Sequence, residues 1–591
     1  MILHELVRYY DRLQDSDIGL PSMGFSNEKI GFALVIDKDG QLIQLDDLRD
    51  RSGKKPQPRL MRVPSVKRTS GIKPAFAWDK LEYVLGVVPK DKKTIKNEDE
   101  PVWEVNEKSS AKFEAFRKYH QEISTILKHD GLRALVVFLE NWQPNSFSDL
   151  ADAQSAVGAN IVVQVLGSNT YLHESKNLKD YWSTQVADND SDCIRCLVTG
   201  EEAPLAQLHA GIKGVPGSQT SGAPIVSFNK DSFCSYGKGK NDQGGNAPVG
   251  QHAAFAYGTV LNYLLSRNSK QKVQVADATV LFWAEKSSSI EDIFGGLLAP
   301  SKDDGYSKEI DVFLKTVRKG GMPEDIDGSQ RFYILGLSPN AARLSIRFWY
   351  VSTVSDVSRK LALHFEQLEI IRKSEKQLLY PGIWWLLIET ASQHKTENIP
   401  PSLSGPMLMS ILKGTAYSAS LLSLLLGRMR VDKDPNYYKC ALIKAILIRN
   451  YKKEVSVSLD REKKDAAYVL GRLFAVLEKA QEESAGGKLN ASIKDKYFAS
   501  ASTHPSVTFP LLIRLSQNHQ KKLKSERAGR AIFFQKEIQS IIASIDTFPS
   551  YLNLEDQGLF AIGYYHQYQS FFEKHEKEET SMNNDEDKGE E

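Results

Sequence analysis

Apolar spacing changes along this chain, from mixed periods before residue 355 to an almost unbroken helical period after it. Residues 2–14 carry His4, Glu5, Arg8 and Asp11 at helical spacing and predict a short amphipathic helix. Residues 30–48 alternate in strand fashion (FALVID, a KDG turn, QLIQL) and predict a hairpin. A helical period covers 107–129. LRALVVFLE (132–140), ANIVVQVLG (159–167) and ATVLFWAE (278–285) are apolar runs that predict buried strands. Residues 253–265 predict an apolar helix, and 331–351 a strand, a turn and a strand.

From Val357 the apolar residues recur every three or four positions in SRKLALHFEQLEIIRK, PMLMSILKG, YSASLLSLLLGRMR and YYKCALIKAILIRNYKKE. Three stripes follow in the last part. They are Ala466, Val469, Leu470, Leu473, Val476 and Leu477; then Val507, Leu511, Leu512 and Leu515; then Ile532, Ile538, Ile541, Ile542 and Ile545. The motif NLED beginning at Asn553 predicts the start of the last helix. Short links and one-sided stripes predict a helical bundle.

The fold class expected is α+β: a mixed α/β N-terminal region, then an all-α region ending in a C-terminal bundle of four or five helices. The expected divisions are 1–130, an α/β part with a basic segment at 51–96; 131–355, an α/β part with glycine-rich loops; 356–455, a helical connector; 456–575, the bundle; and 576–591, a disordered acidic tail. A chain of 591 residues is too long for one core.

The net charge of +2 does not itself suggest a nucleic-acid binder, so any such surface must come from local patches. Four cysteines argue against a disulfide framework and fit a reducing cytosol. The N-terminus lacks the apolar core of a signal peptide, and apolar runs such as 421–426 are far short of a membrane span. The chain is therefore read as cytoplasmic, with no membrane partner.

Three segments carry candidate chemistry. Residues 211–250 hold nine glycines and four lysines against only Asp231 and Asp242. Polar side chains including Ser218, Gln219, Thr220, Ser221, Asn229 and Asn246 add donors and acceptors, and Phe228, Phe233 and Tyr236 add flat rings. That mixture suits a polyanion with readable edges: lysine and backbone N–H for phosphate, amides for base edges, rings for stacking. A long solvated connector is the alternative. Residues 51–96 hold thirteen Lys and Arg against three acids, broken by proline and glycine. Arg514, Lys521, Lys522, Lys524, Arg527 and Arg530 cluster where one helix ends and the next begins, either as a sequence-blind track for single-stranded DNA or as a solvated helix face.

Other signals are thinner. Cys193 and Cys196 have zinc-knuckle spacing, which His209 and Cys234 would complete only loosely; two ordinary thiols are the alternative. His129-Asp130 is a doublet of the sort found in metal-dependent phosphohydrolases, alone at a helix end. No P-loop, HExxH or GxSxG occurs. The chain is read as a non-enzyme without cofactor, the alternatives being a metal-dependent nuclease at His129 and Asp130 or a purely structural bridge whose basic segments bind nucleic acid.

The strings CLVTGEEAPLAQLHAGIKGVPGSQTSGAPIVSFN, SYGKGKNDQGGNAPVG, AAFAYGTVLNYLL and VKRTSGIKPAFAWDKLEYVLG resemble the large subunit of the type I-C CRISPR interference complex (Cascade), the Csd-type family. LSPNAAR, IPPSLSGPMLMSILKG, IKAILIRN, AYVLGRLFAVLEKAQ, DKYFASASTHPSVTFPLLIRLSQNH and LEDQGLFAIGYYHQ extend the resemblance, in order, over most of the chain. It departs at KNDQGG (240–245), which is longer than the family's loop.

The resemblance implies a non-catalytic subunit of an RNA-guided surveillance complex in antiviral defence. Implied partners are crRNA, target double-stranded DNA and its displaced strand in the R-loop, the backbone and handle-binding subunits, small subunits and a helicase-nuclease. Lys67, Arg68, Ser70 and Lys73 would contact the crRNA handle or the backbone of the PAM duplex. Lys213, Gln219, Thr220, Ser221, Asn229, Lys238 and Asn246 would face the PAM and the opened strands. The cluster at 514–530 would hold the non-target strand.

Overall fold

The computed structural model describes residues 2–572 apart from 15, 17–19, 54, 67, 69–70, 92–101, 151–152, 188–192, 276, 301–303 and 487–488. The expected acidic tail at 576–591, and the candidates Lys67 and Ser70, lie outside the described residues. The chain forms two compact units, one of Met1–Ile212 with Val226–Asn262, the other of Lys213–Ile225 with Tyr263–Glu591.

The first unit is built on the run FALVI. Phe32–Ile36 is buried on both faces, which is why the run is continuous rather than alternating. It pairs antiparallel with Leu42–Asp47 and parallel with Asn160–Val165, whose far edge takes Trp78–Lys80. Phe32, Leu34 and Ile36 share a core with Phe113, Phe116, Leu132, Leu135 and Phe138, contributed by the helices Glu107–Ile126 and Asp130–Asn141. Ala33, Val162 and Trp78 pack with Ile30, Met61 and Val63 from the ribbon of Phe25–Ile30 and Arg59–Pro64.

Two expectations change here. LRALVVFLE is a helix, not a strand. His129 caps it, Nδ1 accepting from the Leu132 N–H at 3.3 Å, and Leu132, Leu135, Phe138 and Leu139 are buried while Arg133 and Glu140 are exposed. A short run this dense in apolar residues hides a helical period, because half-buried Val136 and Val137 fill the positions between. The division expected after residue 130 is also absent, since Asn160–Val165 pairs directly with Phe32–Ile36.

Buried His120 ties a loop to this core. Its Nε2 accepts from the Ala77 N–H at 3.0 Å, and its Nδ1 donates to the Phe116 carbonyl at 2.8 Å. Those partners fix the neutral tautomer, and burial pushes the imidazole down to about 4.

In the second unit, Lys272–Val275, Ala278–Ala284, Arg331–Asn340 and Arg343–Thr353 form an antiparallel meander, as the strand–turn–strand reading of 331–351 expects. From Val354–Leu368 onward the unit is helical. One core runs from Val280 and Phe332 of the meander to Leu473 and Phe560 near the end. The meander, the expected connector and the expected bundle are therefore not separate bodies. The Tyr565 hydroxyl donates to the Ile371 carbonyl at 2.8 Å, and the Ile371 N–H to the Val457 carbonyl at 2.9 Å.

Among the described residues the bundle has five helices: Ala466–Ser484, Ile493–Ala501, Pro505–Glu526, Ala528–Ile542 and Leu554–Ser570. The first and last meet backbone to backbone. A Cβ at Gly471 would collide with the Phe560 carbonyl, and one at Gly563 with that of Tyr468. Of the predicted stripes, Val469, Leu470, Leu473, Val476 and Leu477 are buried. Val507 is 75% exposed and Ile532 55%, because their helices turn those positions to solvent.

Candidate nucleic-acid interface

In the basic segment, Arg68 faces inward. Its guanidinium pairs with buried Asp79, donates from Nε to the Lys73 carbonyl at 2.7 Å, and lies over the Tyr83 ring at 4.3 Å. Asp79 also accepts from the N–H groups of Ala75 and Lys80, both at 2.7 Å. Burial raises the Asp79 carboxyl and the Arg68 charge opposes that rise. Arg68 therefore anchors the loop that leads into Trp78–Lys80. Exposed Lys73 lends its carbonyl to that anchor, and its ammonium has no carboxylate partner among the described residues.

The glycine-rich stretch, continuous in sequence, is divided between the units. Lys213, Gln219, Thr220 and Ser221 belong to the second, and Asn229, Lys238 and Asn246 to the first. The former four are exposed on a loop closed by two turns, Ser218 N–H to the Val215 carbonyl at 3.1 Å and Gly222 N–H to the Gln219 carbonyl at 3.0 Å. A bond from the Leu344 N–H to the Pro224 carbonyl at 3.1 Å fixes its trailing end.

In the first unit Asp242 is the hub. It caps the short helix Gln243–Asn246 through the Gly245 N–H at 3.0 Å, accepts from Gln207 Nε2 at 3.2 Å and stands 3.1 Å from Lys238 Nζ. Lys238 first, then Gln207, hold its carboxyl below the ordinary range. Half-buried Asn246 is a clamp: Oδ1 accepts from the Ser235 N–H at 2.7 Å and Nδ2 donates to the Asp242 carbonyl at 3.1 Å. Asn229 is exposed. Sequence reasoning does not single out Asp242 as a hub, or Gln207 at all. The D-Q-G-G string, an acid before a tight helical start, is the available signal for the first, and nothing local marks the second.

On Pro505–Glu526 the arrangement differs. Arg514, Lys521, Lys522 and Lys524, with Arg527 just beyond, are exposed and have no carboxylate partner among the described residues. Arg514, Asn518 and Lys521 follow at helical spacing, so cation and amide share one solvent face. Arg530 stands apart. It pairs with Glu483 at 2.5 Å and packs over the rings of Phe533 and Phe534, each at 4.7 Å.

The two minor candidates have local structural roles. Cys193 is exposed, while the buried Cys196 thiol accepts from the N–H groups of Val198 at 3.4 Å and Gly250 at 3.2 Å. His209 Nδ1 meets the Tyr257 hydroxyl at 2.5 Å, and Cys234 points at the carbonyls of Phe228 and Lys230. No three His, Cys, Asp or Glu side chains gather as a metal-ligand group among the described residues. His129 has both nitrogens engaged, its Nε2 3.0 Å from Ser175 Oγ, and Asp130 is 99% exposed.

No helix among the described residues is long and apolar enough to cross a membrane. The family described as CRISPR-associated protein (Cas_Csd1) matches residues 6–572. No curated protein matches the chain.

Proposed function

The chain belongs to the Cas_Csd1 family of CRISPR-associated proteins, and we propose that it serves as the large, non-catalytic subunit of a type I-C interference complex. In this reading it recognises the PAM in target duplex DNA, helps open it, holds the displaced strand and docks the helicase-nuclease. Guide pairing reads the sequence, while the protein reads the PAM and backbone shape. Its other partners are crRNA, the backbone and handle-binding subunits and the small subunits.

The observation that carries the reading is the cationic face of Pro505–Glu526, which has no carboxylate partner among the described residues. Cations without an internal partner keep their full charge for phosphate, and interleaved amides suit a flexible strand. The exposed polar loop at Gln219, Thr220 and Ser221 supports the PAM-facing part. His129, the residue a nuclease would need, serves as a helix cap.

The test is DNA binding by the assembled complex over a salt series, with a PAM-swapped duplex as a second arm. Lys213→Ala with Lys238→Ala is expected to weaken binding and to lower the salt slope by about 0.7–0.9 for each phosphate no longer neutralised. Unchanged affinity across the series removes both lysines from the interface. Indifference to the PAM swap turns the reading toward a structural crRNA bridge.

A further inference from the structure

At 90% exposure, Tyr236 has more of its surface in water than any other large apolar side chain among the described residues. Its backbone is nonetheless held. The Lys238 N–H donates to the Ser235 carbonyl at 3.0 Å, closing a four-residue turn around Tyr236 and Gly237. Their φ angles are 58° and 71°, so both central residues are left-handed, as in a type I′ turn. Asn or Gly ordinarily takes the first of those positions, and a bulky side chain there is strained.

The turn is fixed on one side by Asn246 Oδ1, which accepts from the Ser235 N–H at 2.7 Å, and is flanked on the other by the exposed pair of Lys238 with Asp242 at 3.1 Å. The ring itself offsets none of the strain, since it makes no hydrogen bond or ring contact with any described residue. A loop tuned only for stability would carry Asn or Gly here; strain that persists without a packing gain points to a use outside the fold. Exposed Lys230, Lys238 and Lys240 lie in the same loop; Lys238 and Lys240 stand against Asp242 at 3.1 Å and Asp231 at 3.6 Å, exposed pairs weak enough for a phosphate to displace.

We propose that Tyr236 is a stacking residue, presenting its ring to an unpaired base of a DNA strand whose phosphates lie along these lysines. The inference rests on the reading that this chain handles opened DNA, and it names the residue that meets a base. An aromatic face accepts any base, so the contact fixes strand position rather than sequence.

The experiment uses the full-length chain and a single-stranded DNA of about ten nucleotides carrying one 2-aminopurine. Anisotropy reads affinity, and quenching of the 2-aminopurine reads stacking. Tyr236→Ala is expected to bind about tenfold more weakly, with quenching abolished. Its salt slope should match the wild type, because no charge is removed. Tyr236→Phe should retain affinity and quenching. Tyr236→Gly should lose affinity like the alanine variant while its Tm stays at or above the wild-type value, since the strain is relieved. Wild-type affinity in a folded Tyr236→Ala chain overturns the proposal, as does a phenylalanine variant as weak as the alanine one. A wild-type chain that binds no single-stranded DNA overturns the DNA-handling reading and takes this inference with it.

Discussion

Around residue 238, lysines stand opposite carboxylates, Lys238 at 3.1 Å from Asp242 and Lys240 at 3.6 Å from Asp231. On Pro505–Glu526 and just past it, Arg514, Lys521, Lys522, Lys524 and Arg527 have no such partner among the described residues. The loop lysines must exchange a carboxylate before they can meet a phosphate, at a small cost because the pairs are exposed, whereas the helix, whose shape its own backbone already fixes, has no such pair to give up. Arg68 carries the first pattern to its limit, with its guanidinium closed onto a buried acid. A basic residue in the sequence is thus evidence of a phosphate contact only once its acid partners are known.

Arg68 puts this contrast to its strongest trial. Arg68→Ala leaves the Asp79 carboxylate buried and uncompensated, and is expected to cost about 3–5 kcal/mol in urea unfolding. Adding Asp79→Asn should restore part of that stability. A variant as stable as the wild type would put Arg68 back among the free cations.

On the helix the opposite holds. Changing Lys521, Lys522, Lys524 and Arg527 together to Gln should cost no more than about 0.5 kcal/mol per substitution, since no internal pair is removed. Single-stranded DNA affinity should fall, with a salt slope smaller by about 0.7 for each cation that meets a phosphate. An unchanged slope would make the face a solvated surface only.

A weaker response to acid belongs to neither surface and serves as their control. His120 and His566 are buried, with the imidazoles pushed down by burial to about 4 and about 3. Because the folded values lie below the unfolded 6.5, the unfolded chain takes the proton first as pH falls. Stability is whole above about 6.5 and declines toward about 4 for His120 and about 3 for His566, at up to about 1.4 kcal/mol per pH unit for each histidine. Urea midpoints at neutral and mildly acid pH check this. His120→Gln, which does not titrate, should make the decline in the first unit shallower, the remainder coming from His173, which burial also pushes down to about 4.

Periodicity makes much of this molecule legible in advance. The α+β class, the hairpin of Phe32–Ile36 with Leu42–Asp47, the Arg331–Asn340 and Arg343–Thr353 pair and the buried stripe from Val469 to Leu477 follow from spacing alone. LRALVVFLE misleads because its apolar density suits either element, and only the His129 cap and the packing of Leu132, Leu135 and Phe138 decide it. The candidate interface is less legible. Asn246 has the chemistry of a base-reading amide and is a loop clamp, and Arg68 has that of a phosphate ligand and is a half-buried anchor.

With the helix at Asp130–Asn141 as the exception, residue order alone dictates most of the helices and strands, because their periods depend on residues a few positions apart. It also dictates where basic and glycine-rich chemistry is concentrated along the chain. Tertiary packing was needed to decide which cations remain unpaired, that residues 213–225 fold with one unit and 226–262 with the other, and that the Tyr236 ring stands in water on a strained turn. Those outcomes depend on side chains and chain segments brought together by closure of the fold, and no local period records which charge will find a partner.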